Sequence, residues 1–533
     1  MTNQSALTRY PKATNHSHYI ATSHDGINHD SIANLGYDWS RVADPGIVPS
    51  PPFKVYLPRT TEDVVRAVRE CHAAEDQLVV RGHGHSSNNL VTPDHGAVMI
   101  TDLLSGVLEV DPDGLTVTVQ SGARLAMVDL RLAEQGLGLK VIGDHDHITA
   151  GGFASVGGIS PASHRHGIFL DTVVALEYVD WSGELHRCGR TKDLGQMLKV
   201  LGGTGRHGVI TQLKLAVEVV DKFRTVLSNN RHITTSIDDF VRYSARMIRD
   251  PQDALMERGV WADLELPGVG DYSARIGQFS SYHATSQTPV KSLWNRVAYG
   301  AQQMIGHVAG RLPALVDDLV KYVGMGCIIF SPRYGNQKNV ERFTDQILDA
   351  TVGEPTRMFV VLAPVERYET LFYSLNELCV KERRRTKAIS FISIYVKAIR
   401  SRYLTGPKAW GLSGPRTSPD GYCELMLYLG LRPEKMTPEV LARVLAAVDD
   451  ICLANGAFRY LHSLTGTDPA KLAKLDPNAQ YGGREAPANG QVTAGRPPSA
   501  ESPMPDSNGD SGEDGAAAKT AARARRTQKP TAV

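Results

Sequence analysis

Two histidines stand two residues apart among glycines in RGHGHS, residues 81–86. A second cluster, GDHDHITAGGFASVGGISPASHRHG over 143–167, sets carboxylates and imidazoles beside two glycine pairs, and a third, LGGTGRHGVI, covers 201–210. Glycine lets backbone N–H groups approach and curl around an anion. Imidazole and carboxylate supply acid–base groups or a point of covalent attachment. The first loop is not GxGxxG, and the third follows a helix rather than opening one, so a nicotinamide site of the Rossmann kind is not indicated. Neither HExxH nor a Walker A loop occurs. His145, His147, His164 and His166 have no further ligand at metal-binding spacing. What remains is a cradle of several loops for a large phosphate-bearing cofactor.

The elements that would hold these loops alternate along the chain. FKVYLP reads as a strand, and TTEDVVRAVRECHAAE as a helix capped by Thr60 or Thr61 with Glu62 and Asp63 in its first turn. DQLVVRG is the next strand. LEVDPDGLTVTV is a hairpin about an Asp-Gly turn, VVALEYVDWSGELHRC a second about Ser182-Gly183. A helix is expected around LAMVDLRLAEQGL, and LGQMLKVLGGTGRHGVITQLKLAVEVV reads as helix, glycine loop and long strand. From about residue 221 amphipathic helices (FVRYSARMIRD, VERFTDQILDATV, ERYETLFYSLNELCVKER) mix with strands (GCIIFSPRY, RMFVVLAPV, AISFISIYVKAI, YCELMLYLGL). A last helix is expected over 437–455. On the strand ISFISIYVKAI, Ser393, Tyr395 and Lys397 point one way and Ile394 and Val396 the other. With Tyr422 and Glu424 they are candidates to line a pocket.

The bulk properties narrow the function. The chain has 533 residues, with 58 basic against 57 acidic side chains, enough for two or three cores and no global charge for nucleic acid or a membrane surface. No stretch of about 20 apolar residues predicts a membrane span. The N-terminus lacks the apolar core of a secretory signal, so a cytoplasmic location is expected. Six scattered cysteines without a CxxC pair read as reduced thiols.

Four segments carry a family resemblance: RGHGHS, GDHDHITAGGFASVGGIS, SHRHGIFLDTVVALEYVDWSGELHRC and LGGTGRHGVITQLKL. In order and spacing they resemble the PCMH-type FAD-binding domain of the vanillyl-alcohol oxidase superfamily, most closely its cytokinin dehydrogenase branch, over roughly residues 50–220. The resemblance implies FAD as cofactor, covalently held through His85, with Arg81, Gly82, His83, Gly84 and Ser86 wrapping the pyrophosphate. His83 stands where the family often has arginine and is the alternative link. Thr149, Ser155 and Ile159 match flavin-contacting positions, Gly151 and Gly152 leave room for the cofactor, and the backbone at Ile210 matches the adenine end. His145 occupies the position of a second, cysteinyl link in other branches, so a single link is implied. Asp144 matches the residue that takes a proton from the substrate, with Asp146 as its alternative. His164, Arg165 and His166 are expected to shape the turn. His462 lies in RYLHSLTGTDP, which resembles a segment that returns to the flavin domain.

The expected fold is therefore α+β with two domains: a PCMH-type FAD-binding domain over 46–222 and a mixed sheet-plus-helices substrate domain over 223–444. A segment 445–480 returns to the first domain, an arm covers 1–45, and a disordered tail 481–533. The implied reaction is removal of a hydride from a C–H beside nitrogen or oxygen of a small organic substrate, with reoxidation by dioxygen or another acceptor. Cytokinin-dehydrogenase-like amine oxidation is favoured. The alternatives are an alcohol, sugar or lactone oxidase of the same superfamily, a C=C reductase like the sterol Δ24-reductases, and a non-catalytic interaction protein.

Overall fold

The computed structural model describes residues 52–84, 86, 91, 96–143, 145, 148–251, 253–265, 273–286, 334–341, 356–399, 421–432 and 434–460, with Leu35, residues 471 and 474–475, and the backbone of 22–23 and 26–27. Residues 1–495 form one compact unit.

A small parallel sheet comes first. Strands β1 (Lys54–Tyr56), β2 (Leu78–Arg81) and β3 (Ala97–Ile100) run in the order β1-β3-β2. Helix α1 (Thr61–Ala74) makes the crossover between β1 and β2. Its cap is Thr60, whose hydroxyl accepts from the Asp63 N–H while the Asp63 carboxylate accepts from the Thr60 N–H, each at 3.2 Å. The reciprocal pair satisfies two amides that helix geometry leaves open.

The second sheet is antiparallel. It contains β4 (Val107–Asp111), β5 (Thr116–Gln120), β6 (Leu137–Leu139), β7 (Val173–Val179), β8 (Leu185–Gly189) and β9 (Val209–Val219), in the order β8-β7-β9-β5-β4 with β6 also on β9. Both expected hairpins are present, as β4–β5 and β7–β8. Gly183 supplies the positive φ of the second turn, +84°. Helix α2 (Leu125–Ala133) is shorter than its apolar pattern suggests, because β6 takes up the following leucines. Glu177 binds the layers together. One of its oxygens accepts from Thr61 of α1 and Thr211 of β9, each at 2.9 Å, and the other from Arg187 at 2.8 Å.

The cluster 143–167, expected as loop, contains helix α3 (Ala150–Val156) and the single-turn helix α4 (Ser163–His166), with α5 (Phe169–Thr172) just beyond. Glycine pairs at its ends disguise α3. Helix α6 (Leu194–Val200) precedes the third loop.

The third sheet has eight strands: β10 (Val226–Thr234), β11 (Met256–Glu265), β12 (Ser273–Ala284), β13 (Tyr334–Asn336), β14 (Thr356–Pro364), β15 (Ile389–Ile399), β16 (Tyr422–Leu431) and β17 (Phe458–Arg459). Their order is β13-β10-β12-β11-β15-β16-β14-β17. Helices α7 (Ile237–Arg249), α9 (Tyr368–Thr386) and α10 (Pro438–Ala454) pack with it, and the short α8 (Gln337–Glu341) follows β13. Expected segments over 340–352 and 326–334 lie largely outside the described residues. Strands β10, β11 and β12 were not anticipated, since their polar alternation lacks an apolar run.

The α+β character thus stands. The apolar core is continuous from β5 and β9 into α9, β15, β16 and α10. The five described cysteines are free and buried.

One buried charge cluster ties segments far apart in sequence. Lys222, after β9, lies 3.2 Å from Asp129 of α2 and 3.1 Å from Glu341 of α8, and all three side chains are almost wholly buried. Burial opposes the lysine's charge, but Asp129 and Glu341 outweigh it and hold the ammonium above its ordinary range. Burial likewise raises the Glu341 carboxyl, to about 7, against the pull of Lys222. Removing one partner from such a cluster leaves uncompensated charge in a dry place. Lys222→Met is expected to lose about 3–5 kcal/mol of unfolding free energy at neutral pH. The loss should shrink toward pH 5, where the stranded Glu341 carboxyl, raised by burial, can take up a proton, as denaturant titration at the two pH values will read.

Candidate active site

The first loop leaves the carboxyl end of β2, beside the carboxyl end of β3, where parallel strands open a crevice for ligands. Arg81 is fully buried, donates through Nη1 to the Val91 carbonyl at 3.3 Å, and accepts through its own carbonyl from Thr101 at 3.5 Å. Gly84 has a φ of +69°, and a Cβ there would lie within 3.0 Å of the Arg81 guanidinium. A Cβ on Gly82 would meet the Thr149 side chain just as closely. The first loop therefore lies directly on the start of the second.

Thr149 caps α3, accepting from the Gly152 N–H at 3.3 Å, and bridges backbone to backbone with Arg124. Gly151 donates its N–H to the Ser121 carbonyl at 2.7 Å, and a Cβ there would stand 2.6 Å from the Ser121 Cβ. Ser155 turns its hydroxyl back to the Gly151 carbonyl at 2.7 Å, leaving its oxygen able to accept. The third loop is joined to the same helix: Gly202 N–H donates to the Ala154 carbonyl and Thr204 N–H to the Ser155 carbonyl, both at 2.9 Å. Gly202, Thr204 and Gly205 all have positive φ there. Three glycine-rich segments from distant parts of the sequence meet around α3.

Charge gathers under the first loop. His83 Nε2 lies 3.2 Å from Asp102, in the turn after β3. Burial raises the Asp102 carboxyl to about 6, although Arg124 and Arg81 pull it the other way. His164 is buried between the Pro161 and Ala254 carbonyls, at 3.1 and 2.8 Å. Desolvation lowers it to about 4 despite both carbonyls. A neutral ring donating to one of them suits the turn-shaping role expected of it.

Of the residues singled out in the sequence, Arg81, Gly82, His83, Gly84, Thr149, Gly151, Gly152 and Ser155 are brought together. Ser86 is half-buried, and Ile159 and Ile210 are buried close to the chain ends of these loops. His85, Asp144 and His462 lie outside the described residues. Sequence reading missed Asp102, Ser121 and Tyr460. Asp102 was readable in part, as a carboxylate directly after the apolar strand AVMI. Nothing local marked Ser121 or Tyr460, whose contacts come from distant segments.

Residues 52–189 match the family described as "FAD binding domain". This region is an FAD binding domain. Its loops fit that cofactor: they approach one another through glycines, and the buried Ser86 and Ser121 hydroxyls have no hydrogen-bond partner among the described residues. FAD is thus the cofactor of this domain, in agreement with the resemblance read from its motifs. The chain is similar to cytokinin dehydrogenase 5 of Arabidopsis thaliana, 33% identical over 202 residues, covering 37% of this chain and 36% of that protein. It is 26% identical over 323 residues to cytokinin dehydrogenase 1 of Oryza sativa subsp. japonica, covering 57% and 58%. An uncharacterized oxidoreductase, ORF5 in the fasciation locus of Rhodococcoides fascians, is 32% identical over 182 residues, covering 33% and 41%. The alignments span between a third and three-fifths of these relatives' lengths. Over the aligned part the chain is similar to these proteins. Among the described residues no helix is long and apolar enough to cross a membrane.

Two outcomes follow for the FAD binding domain. Gly82→Val drives a branched side chain into Thr149 and should cut bound flavin at least about tenfold, the effect of roughly 1.4 kcal/mol or more. The ratio of flavin to protein absorbance measures it, with circular dichroism checking the fold. Asp102 has a raised folded-state pKa, so its contribution to stability is complete below about 4, its ordinary value, and is lost as pH rises through about 6. Asp102→Asn does not titrate. The stability of the wild type relative to this variant should therefore fall by about 2–3 kcal/mol between pH 4 and pH 7 in paired denaturant titrations.

Proposed function

We propose that the chain is an FAD-dependent oxidoreductase that removes a hydride from a C–H beside nitrogen in a small organic substrate, in the manner of a cytokinin dehydrogenase. The observation that carries the reading is the convergence of the three glycine-rich segments on α3, in a chain whose curated relatives include cytokinin dehydrogenases. Bound there, FAD supplies a two-electron acceptor that dioxygen or another oxidant can regenerate. His85 carries the flavin covalently, which holds it in place and favours substrate oxidation. Arg81, Gly82, His83, Gly84 and Ser86 surround the pyrophosphate; Thr149, Gly151, Gly152, Ser155 and Ile159 border the flavin; the backbone at Ile210 meets the adenine end. Asp144 accepts the proton from the substrate nitrogen as the hydride departs, and an apolar surrounding that raises a carboxyl pKa suits that task. His462 stands near the reacting ring.

In this reading residues 46–222 hold the cofactor and 223–444 the substrate. The sheet β15–β16 supports the division. Ile394 and Val396 are fully buried, and Ile394 lies opposite Trp261 of β11, which packs on Phe240 of α7. The other face carries Ser393, Tyr395 and Lys397, with Lys397 3.2 Å from Glu424 across the strands. Ser393 Oγ is fully buried and without a hydrogen-bond partner among the described residues. Such a face offers donors and acceptors to a polar substrate, whereas a core would have kept both faces apolar.

The test begins with acid-denatured protein on a gel. A flavin-fluorescent wild-type band and a dark His85→Ala band are expected, and the same preparation should have its flavin bleached by secondary amines in the absence of oxygen. A dark wild-type band over a yellow supernatant would refute the covalent link. Bleaching by alcohols or sugars alone would replace the amine by an oxygen-bearing substrate, and reduction by NADPH would reverse the direction of the chemistry.

A further inference from the structure

Tyr460 follows β17, whose residues Phe458 and Arg459 pair with Leu362 and Val361 of β14 at the margin of the eight-stranded sheet. The segment is fixed from several sides. Tyr460 donates its N–H to the Val360 carbonyl at 2.8 Å. Arg459 is paired with Asp449 of α10 at 2.6 Å, both side chains essentially without solvent. Phe458 packs on Tyr422 of β16, ring centres 5.9 Å apart. The Tyr460 side chain is itself buried, and its hydroxyl oxygen accepts the backbone N–H of Gly158, 302 residues earlier.

Gly158 is no ordinary donor of such a bond. It and Gly157 have φ values of +74° and +115°, a backbone path that residues with side chains avoid. A Cβ on Gly158 would stand 2.5 Å from Phe169 Cβ and 2.7 Å from the Phe153 ring. The carbonyls of the pair are taken by Leu170 and Phe169 N–H groups, at 3.3 and 2.7 Å. The Gly158 N–H points away from this helix-to-helix turn, and Tyr460 satisfies it. The turn lies between Ser155 of α3 and Ile159, two positions assigned to the flavin.

We propose that Tyr460 is a positioning residue for the flavin: its hydroxyl fixes the Gly157–Gly158 turn, and so the placement of Ile159, from the substrate-side sheet. This rests on the reading above that the α3 loop borders the flavin. Nothing in the role requires Tyr460 to touch the cofactor. It makes the flavin's surroundings depend on one hydroxyl from the far end of the chain.

Three variants of the full chain test it: Tyr460→Phe, Phe458→Leu and Gly152→Val. Tyr460→Phe keeps the ring and leaves a buried N–H unsatisfied. It should shift the flavin's visible spectrum and move its midpoint potential by about 30 mV, a roughly tenfold change in the relative hold on oxidised and reduced flavin. Phe458→Leu weakens the packing of β17 but retains the hydroxyl, and should lower the unfolding temperature with spectrum and potential unchanged. Gly152→Val should expel or displace the flavin. If Tyr460→Phe keeps the wild-type spectrum and potential while Gly152→Val loses flavin, the loop assignment stands and the role of Tyr460 is refuted. Equal shifts in Tyr460→Phe and Phe458→Leu also refute it, since any loosening of β17 would then suffice. If Gly152→Val holds its flavin unaltered, the loop assignment itself fails and the proposal falls with it.

Discussion

At Gly82 the backbone of one loop meets the Thr149 side chain with no room for even a methyl group. Thr149 cannot withdraw, because its hydroxyl caps α3 and its backbone bridges Arg124. Gly151 cannot rise, because its amide is bonded to Ser121 at the end of β5. The contact thus joins the carboxyl end of the parallel sheet to the antiparallel one through the first turn of a short helix. The third loop joins through the carbonyls of Ala154 and Ser155 in that helix. A seven-residue helix is too short to be stable alone. It exists because three segments close around it, and the space they leave is defined by what they lack, namely side chains.

Much of this was legible in the sequence, where one physical rule governed one local stretch. The Thr60 cap, the hairpins at Asp-Gly and Ser182-Gly183, and the opposed faces of β15 all follow from residues within a turn or a strand of one another. The glycines of RGHGHS announced a backbone that something must approach. Helix α3 did not show, because glycine is a poor helix former and the stabilising partners of GGFASV are Ser121, Ala123, Gly202 and Thr204, none of them nearby in sequence. Strands β10 to β12 were hidden for a related reason: SARIGQFSSYHA carries polar residues where a buried strand would show an apolar run. The bond between Tyr460 and Gly158 obeys no local rule at all.

The glycines of this cradle leave little room for substitution. A Cβ at Gly82, Gly84 or Gly151 would stand 2.4, 2.3 or 2.6 Å from a neighbouring heavy atom, closer than such contacts come.

The cluster of Lys222, Asp129 and Glu341 has a bearing on how such a chain can be recombined. It draws its members from α2, from the end of β9 and from α8, so its charge balance is written across both sides of the point where the second sheet gives way to the third. A hybrid cut there keeps its charge balance only where the incoming part brings an acid to meet Lys222. Glu341 thus acts as a compatibility mark between the second sheet and the third.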